Sequence, residues 1–465
     1  MGVMFYEAPA RPHGRHDGDR ADYNMANIIL RETSYESLLE ATKYFRLKSS
    51  APRPRHDDTI RLGVLPKFIE FLTWDAYPRL QFEAAWVLTN IAAGDNSHAM
   101  SVVREGAIPN LLHLLKSEDR DAREQAVWAI GNISGDTTTL RDQVLDAGAL
   151  PLLATLAQPD AEIKFLRNLT WTISNLCRGK PKPTMEKVAC ALPILVALLN
   201  HEDEEVLTDA CWAFSYISDG SDDDIQMVVD LGVSKRLVEL LGHSSNKVKT
   251  PALRVIGNIV TGNENHTDAI LDANPLPYFK PLLSDEKLKK EACWSISNIT
   301  AGSIRQIQAV IDAEIIPALL GVISDASNIK QKREAVYAIS NGISGGTWEQ
   351  IGYFVAQGCI SKFCDVLKLS DSEIQRLSLE ALEMILKAGD VDHDSANQHA
   401  VFLQHTNGFR AVSSLAQDPR LHDICTRILE KYNTASTQPA DNTAEEVCDP
   451  SSINFVPMRT SLLTV

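Results

Sequence analysis

A tryptophan followed four residues later by an asparagine recurs along the first half of the chain, in Trp86–Asn90, Trp128–Asn132 and Trp171–Asn175. Because residues four apart lie on one face of a helix, each copy would present an indole beside a carboxamide. The amide offers donors and an acceptor to the main chain of an extended peptide, and neighbouring indoles form slots for the stem and charge of Lys or Arg. The competing interpretation places these tryptophans in the core, but a core needs no amide at a fixed offset. The pattern therefore predicts a surface that binds basic peptides.

The spacing of these pairs indicates helical repeats. The tryptophans recur about every 42 residues, a period typical of HEAT and armadillo arrays, and further copies begin at Trp212 and Trp294. A second marker, Gly-x-hydrophobic-Pro, starts at Gly63, Gly106 and Gly148; glycine suits a sharp turn and proline the first turn of the next helix. Weaker versions of this marker start at Cys190, Gly232, Asn274, Glu314, Gly358 and Gly408. We predict an all-α, right-handed superhelical solenoid of about ten armadillo repeats, each with one short and two longer helices.

Composition divides the chain into three parts. Residues 1–23 contain Gly, Pro, Arg and Asp without a helical period, which predicts a disordered tail. A helical pattern begins at Asn24 and predicts a repeat domain over 24–432. Residues 433–465 are polar and lose the period, which predicts a second disordered tail.

The charge balance indicates the kind of partner. With 45 basic and 61 acidic side chains the net charge is −16, which disfavours nucleic acid and anionic membranes and favours basic ligands. No stretch has the length and apolarity of a membrane span, and eight cysteines without a CxxC pair are typical of a reducing compartment. The sequence has no phosphate-binding glycine loop, HExxH or nucleophile elbow, so we predict neither an enzyme nor a metal or cofactor site.

Several segments resemble the importin-alpha family of nuclear import adaptors, over roughly 28–432: EQAVWAIGNISGD, FLRNLTWTISNLCRGKPKP, PALRVIGNIVTG, EACWSISNITAG and SNGISGGTWEQI. The resemblance implies an armadillo superhelix whose third helices line a concave groove, where nuclear localisation signals bind in extended form. It also implies partners with Lys- and Arg-rich signals, a nuclear export factor for recycling, and a location in both cytoplasm and nucleus. An armadillo scaffold of the adhesion or signalling type is the alternative, although such scaffolds often use basic grooves for acidic partners.

The resemblance also assigns residues to two peptide sites. The major site lies in repeats two to four and takes in Trp86, Asn90, Gly94, Gln125, Trp128, Asn132, Asp136, Asn168, Trp171, Asn175, Asp209 and Trp212. The minor site lies in repeats six to eight and takes in Arg254, Asn258, Glu291, Trp294, Asn298, Glu334, Tyr337 and Asn341. In the family, an aspartate at the position of Asp136 receives the key lysine of the signal. Tyr337 stands where the family has a tryptophan, and its smaller ring predicts a weaker minor site.

One departure from the family concerns importin-beta. The family begins with a segment dense in Lys and Arg that binds importin-beta and otherwise folds back into the groove. Residues 1–23 hold Arg11, Arg15 and Arg20, no lysine and four acidic residues. We therefore expect weak importin-beta binding and an open groove, either because the protein is a natural variant or because the chain is shortened. In the first case the protein would act as a cargo sink or anchor.

Overall fold

The structure, a computed structural model, describes residues 15–158, 161–325, 327–390 and 397–433, with side chains from residue 20 onward. Within these ranges the secondary structure consists of α-helices and one short 3-10 helix, without a β-strand, and two compact units divide between Gly220 and Ser221. The helices of the first unit are α1 Arg15–Arg31, α2 Tyr35–Ser49, α3 His56–Arg61, α4 Leu65–Phe71, α5 Pro78–Ala92, α6 Asn96–Arg104, α7 Ala107–Leu114, α8 Arg120–Asp136, α9 Thr138–Asp146, α10 Ala149–Leu156, α11 Ile163–Cys177, α12 Met185–Val188, α13 Leu192–Leu198 and α14 Glu204–Ser218. The helices of the second unit are α15 Asp222–Asp230, α16 Ser234–Leu240, α17 Asn246–Ile259, α18 Glu264–Leu271, α19 Leu276–Ser284, α20 Lys289–Thr300, α21 Ile304–Asp312, α22 Ile316–Asp325, α23 Ile329–Gly345, α24 Trp348–Ala356, α25 Cys359–Val366, α26 Ser372–Ala388, α27 Gln398–His405, α28 Gly408–Leu415 and α29 His422–Tyr432.

The helices form successive repeats that end in one long helix. The first repeat consists of α1 and α2, and each later repeat has three helices, such as α6, α7 and α8. The predicted pattern of one short and two longer helices is wrong in detail, because α6 and α7 have 9 and 8 residues and only α8, with 17, is long. The long third helix carries the tryptophan and asparagine positions and is called the ladder helix below. The ladder helices are α5, α8, α11 and α14 in the first unit and α17, α20, α23 and α26 in the second.

The glycine marker sets the turn before the second helix of a repeat. Gly106 has a φ of 86°, a left-handed conformation that glycine adopts without strain, and Asn274 takes the same place with a φ of 58°. In the last repeat the marker is one residue late, since Asn407 makes the turn with a φ of 57° and Gly408 already begins α28. In the fifth repeat Cys190 lies in the 3-10 helix Ala189–Ala191 instead.

Within each unit, every ladder helix packs on the next one. α5 packs on α8, α8 on α11 and α11 on α14, and α17, α20, α23 and α26 follow one another in the same way. Their inner faces carry small or branched apolar residues, as in α8, where Ala126, Ile130 and Ile133 are fully buried. Each repeat therefore obtains a core only through its neighbours. This stacking places the same position of successive ladder helices side by side.

The helical part begins earlier than the predicted boundary at Asn24. α1 starts at Arg15, so residues 15–23 are helical rather than a disordered tail. Asp22 holds α1 against α2. It is 6% exposed, accepts a hydrogen bond from Tyr44 Oη at 2.7 Å and forms an ion pair with Lys48, and both partners belong to α2. The sequence period could not reveal this, because a buried polar contact to another helix holds α1 in place. Residues 1–14 and the predicted tail from 434 onward lie outside the described residues.

No single described helix is long and apolar enough to cross a membrane. α21 and α22 reach the necessary length and composition only as a pair, and they are bent by 78° against each other. Leu319 and Leu320 of α22 are buried against neighbouring helices, as in an ordinary core helix.

Candidate peptide-binding site

Three indoles of the first unit lie on successive ladder helices: Trp86 on α5, Trp128 on α8 and Trp171 on α11. Each indole is half-buried, whereas the residues directly before and after it in the chain are buried. A tryptophan that only filled the core between stacked helices would be buried as well. The structure thus leaves part of each of these tryptophans exposed to solvent.

Glycines in the preceding ladder helix make room for the rings of Trp171 and of Trp294, which lies on α20 of the second unit. A Cβ atom at Gly131 would lie 2.2 Å from Trp171 Cζ3, and a Cβ atom at Gly257 would lie 2.2 Å from Trp294 Cζ3. Both distances are shorter than a carbon atom tolerates, so both positions require glycine. Each glycine directly precedes a ladder asparagine, so the amide of one repeat and the indole of the next are held close together.

Three ladder asparagines use one amide N–H to join consecutive ladder helices. Their Nδ2 atoms donate to main-chain carbonyls one repeat earlier: Asn132 to Thr89 O at 3.0 Å, Asn175 to Gly131 O at 3.1 Å, and Asn341 to Ser297 O at 3.0 Å. Asn90 donates instead to the hydroxyls of Ser49 and Ser50, at 3.0 and 2.8 Å. Because a carboxamide has two N–H donors and a carbonyl oxygen, Asn132, Asn175 and Asn341 keep a second donor and the oxygen for a ligand, whereas Asn90 keeps the oxygen. The amides therefore have a scaffold role that the sequence pattern did not reveal.

Burial limits how much of some predicted residues a ligand can reach. Gln125, Asn175 and Asn258 are only 6%, 3% and 6% exposed. Asn168 is half-buried, and its Nδ2 donates to the carbonyl of Glu124 at 3.3 Å. Only the outermost atoms of these side chains are available in the free chain, and their part in binding stays a prediction.

Asp136 and Gly94 belong to two helix ends that the structure brings together. Asp136 is the exposed last residue of α8, while Gly94 lies in the turn between α5 and α6. Asn96, the first residue of α6, donates from Nδ2 to Asp136 Oδ2 at 2.5 Å. A Cβ atom at Gly94 would lie 2.4 Å from Nδ1 of His98, whose ring caps α6, so the turn requires glycine. Asp136 also lies at the negative end of the α8 dipole, which attracts cations.

The series of tryptophan–asparagine pairs in the first unit does not continue on α14, where Trp212 is followed four residues later by a tyrosine. Trp212 stacks on Tyr216, which stands where other ladder helices have asparagine, and the ring centroids are 5.9 Å apart. Asp209 is half-buried one turn before Trp212. Burial, with a smaller contribution from the charge of Glu205, raises the pKa of Asp209 to about 7. Because a nearby cation favours the ionised carboxylate, ligand binding at Asp209 would be coupled to proton release.

Resident arginines cover the first indole of each predicted site. In the second unit, Arg254 Nη2 pairs with Glu291 Oε1 at 2.8 Å, and Arg254 Cζ lies 5.6 Å from the centroid of the Trp294 ring. In the first unit, Arg46 Cζ lies 4.6 Å from the Trp86 centroid. Glu291, a predicted acidic residue of the minor site, is therefore already paired with Arg254 in the free chain, and its part in peptide binding stays a prediction.

The remaining acidic groups of the minor site lie around Tyr337. Tyr337 Oη donates to Glu373 Oε1 at 2.6 Å, and burial together with this bond raises the pKa of Tyr337 to about 12. Glu334 has no ion pair among the described residues, and burial raises its pKa. Among the ladder asparagines, Asn298 is the one whose Nδ2 is buried without a hydrogen-bond partner. Its amide can rotate towards a ligand without breaking a scaffold bond.

Comparisons with known proteins agree with this architecture. The family model of the armadillo/beta-catenin-like repeat matches residues 57–93, 139–178, 182–219 and 221–261, and that of the HEAT-like repeat matches residues 78–133. The crystal structure of an engineered protein is similar with a TM-score of 0.80 at 25% identity, covering 89% of this chain and 99% of that chain. The predicted all-α armadillo solenoid is confirmed.

Sequence relatives decide the family. The chain is 48% identical over 404 residues to importin subunit alpha-1b of Oryza sativa subsp. japonica, covering 85% of this chain and 76% of the relative. It is 45% identical over 416 residues to importin subunit alpha-3 of Arabidopsis thaliana, covering 87% and 78%. The chain belongs to the importin-alpha family. This membership confirms the predicted resemblance and the prediction of a transport adaptor rather than an enzyme.

Sequence reasoning missed a recurring ion-pair arrangement of this importin-alpha. Arg167 pairs with both carboxylates of Asp203–Glu205, at 2.5 and 3.0 Å. Arg333 pairs with both carboxylates of Asp371–Glu373, at 2.6 and 3.2 Å. Each arginine lies four residues before a ladder aromatic ring, and each Asp-x-Glu segment starts the next ladder helix. The repeated Asp-x-Glu was the signal that could have located these groups.

Proposed function

We propose that this importin-alpha binds the basic signal peptides of nuclear cargo proteins, in extended form, on its ladder helices. The observation that carries the proposal is the row of half-buried indoles Trp86, Trp128 and Trp171, each with an asparagine on the same helix face. Exposed indole faces suit the stems and charges of Lys and Arg. The net charge of −16 favours the same ligands over nucleic acid or anionic membranes.

In the proposed major site, the peptide main chain bonds to the amide atoms that the ladder asparagines leave unused: the oxygen of Asn90, and one N–H and the oxygen of Asn132 and of Asn175. This interaction is independent of the peptide's side chains, so it sets the path of the peptide rather than its sequence. A lysine between Trp128 and Trp171 places its ammonium at Asp136. Asn96 orients that carboxylate, and the C-terminal end of α8 adds a favourable dipole.

In the proposed minor site, binding is weaker. A peptide cation must compete with Arg254 for the face of Trp294 and for Glu291, and Tyr337 offers a smaller ring than tryptophan. Glu334 forms no ion pair among the described residues and is available to the peptide. The amide of Asn298, which has no scaffold bond to break, is suited to take the peptide main chain.

The proposed partners follow from this chemistry. They are proteins with Lys- and Arg-rich signals, and a nuclear export factor would return the adaptor from nucleus to cytoplasm. Residues 1–23, with three arginines and no lysine, are a poor match for the basic segment that binds importin-beta, so we expect weak binding of that partner.

Fluorescence anisotropy with a labelled lysine-rich peptide tests the proposal. The chain should bind this peptide and not a neutral peptide of equal length, and Trp128→Ala should weaken binding at least about tenfold, as expected for the loss of a buried aromatic contact. Trp348→Ala is the matched control, because Trp348 is also half-buried but lies on α24, outside the ladder helices. Equal loss in both variants, or no binding by the parent chain, would contradict the proposal.

A further inference from the structure

Tyr337 differs from the tryptophans at the same position of the other ladder helices because it carries a hydroxyl, and that hydroxyl has a specific partner. Its Oη donates to Glu373 Oε1 at 2.6 Å, across from α23 to the first turn of α26. The other oxygen of Glu373 lies 3.2 Å from Arg333 Nε, whereas Arg333 makes its closer contact with Asp371, at 2.6 Å. The Glu373 side chain stays 43% exposed. The hydroxyl therefore holds an accessible carboxylate beside the ring.

The first unit contains the same arrangement without the hydroxyl. There, Arg167 pairs with Asp203–Glu205 in the way that Arg333 pairs with Asp371–Glu373. The ladder aromatic of that repeat is Trp171, and no hydrogen bond from its ring to Glu205 occurs within the described residues. The exchange of an indole for a phenol is thus accompanied by a new bond that fixes one carboxylate.

Glu334 is the second acidic group at this place. It lies on α23 one turn before Tyr337, it is half-buried, and it has no ion pair among the described residues. Burial raises the pKa of Glu334, the charges of Glu291 and Glu373 raise it further, and those of Lys290 and Arg333 lower it. Glu334 precedes Tyr337 by one helical turn and Glu373 bonds to its hydroxyl, so two carboxylates lie next to one tyrosine, where one ligand cation can contact both.

We propose that Tyr337 positions Glu373 as a second ligand-binding carboxylate beside Glu334, and that this pair makes the minor site select arginine over lysine. The inference rests on the proposed peptide-binding function and assigns a specificity to one of its sites. A guanidinium is planar and carries five N–H donors, so it can donate to two carboxylates at once. The ammonium of lysine is a compact point charge and gains less from the second carboxylate. Glu373 would contact the ligand, and Tyr337 acts through Glu373 as a positioning residue.

The test uses a chain carrying Asp136→Lys, in which the major site is disabled, so that the remaining affinity reports the second unit. Two labelled peptides of equal length and charge, one built on arginine and one on lysine, are compared by anisotropy. Tyr337→Phe removes the hydroxyl and keeps the ring, and Glu373→Gln removes the charge. Two controls match these changes on α24: Tyr353→Phe removes a hydroxyl, and Glu349→Gln removes a first-turn carboxylate.

We expect Tyr337→Phe and Glu373→Gln each to weaken the arginine peptide roughly three- to tenfold, the range for one hydrogen bond to a partly exposed charged group. The affinity for the lysine peptide should fall by less than about twofold. The double variant should bind like each single variant, because both substitutions remove the same Tyr337–Glu373 interaction. The control variants should leave the ratio of the two affinities unchanged. Tyr337→Trp should strengthen the binding of both peptides through its larger ring. Because it lacks the hydroxyl, it should also lower the ratio of the arginine-peptide affinity to the lysine-peptide affinity.

Equal losses for both peptides would overturn the proposal, since a purely structural role of Tyr337 would affect them alike. An unchanged ratio in Tyr337→Phe and Glu373→Gln would overturn it as well. If the Asp136→Lys chain binds neither peptide, the minor site takes no cation and the proposal is wrong, although the parent chain still binds. If the parent chain also binds neither peptide, the proposed function itself is wrong.

Discussion

The charge at Asp136 gives the sharpest prediction about the major site. Asp136→Asn removes the negative charge, and Asp136→Lys replaces it with a positive one. A hydrogen bond between charged groups contributes about 1.5–3 kcal/mol. Asp136→Asn should therefore lower the affinity for a peptide with one cluster of basic residues roughly ten- to hundredfold. Asp136 is exposed, so the repulsion between the new lysine and the peptide lysine adds about 1 kcal/mol at a separation of about 4 Å in water. Asp136→Lys should therefore cost roughly two to three orders of magnitude.

Isothermal titration calorimetry of the parent and both variants with one lysine-rich peptide measures these losses. Asp312→Lys is a matched control, because Asp312 is also an exposed last residue of a helix and also accepts from a side-chain amide, Gln308 Nε2, at 2.7 Å. It lies on α21, outside the ladder helices. The control should bind like the parent. If Asp136→Lys also bound like the parent, the assignment of Asp136 to the key lysine would be refuted.

Four further predictions concern the conditions and the partners of binding. Raising the salt concentration should weaken basic peptides, because charges on an acidic surface are screened; an affinity independent of salt would contradict a basic-peptide site. The pKa of Asp209 is about 7 in the free chain and should fall when a cation binds, so binding releases a proton and affinity should rise from about pH 6 to pH 8; Asp209→Asn should remove this slope, and a slope that survives in the variant would exclude Asp209 as its source. A peptide with two basic clusters should gain modestly over one cluster through effective concentration; the double variant Trp294→Ala, Asn298→Ala should erase the gain and spare one-cluster binding, and loss of both would refute separate sites. In a direct pull-down, importin-beta should retain the 465-residue chain weakly, and tight binding would show that residues 1–23 suffice.

The ladder positions were predictable because two periods are visible in the sequence. The offset of four residues between Trp128 and Asn132 places both on one helix face, and the recurrence about every 42 residues indicates the stacking of repeats. Neither inference needs the conformation of a side chain. The turn at Gly106 was predictable for a similar reason, since a glycine before an apolar helix start commonly marks a left-handed residue.

Contacts between different repeats were not predictable from periodicity. The sequence placed Arg254 in the minor site, and only the structure shows that it pairs with Glu291 and lies over the ring of Trp294. These partners are separated by about one repeat, and nothing in a helical period says which way a long arginine points. The start of α1 was missed in the same way, because Asp22 is anchored by residues of α2.

The most direct test of the proposed function is a crystal structure of the chain with a lysine-rich peptide. The peptide should lie extended across α5, α8 and α11, with its main chain bonded to Asn132 and Asn175, one lysine stem between Trp128 and Trp171, and the ammonium of that lysine at Asp136. A peptide bound in helical form, or bound away from the ladder helices while these indoles stay free, would contradict the proposed site.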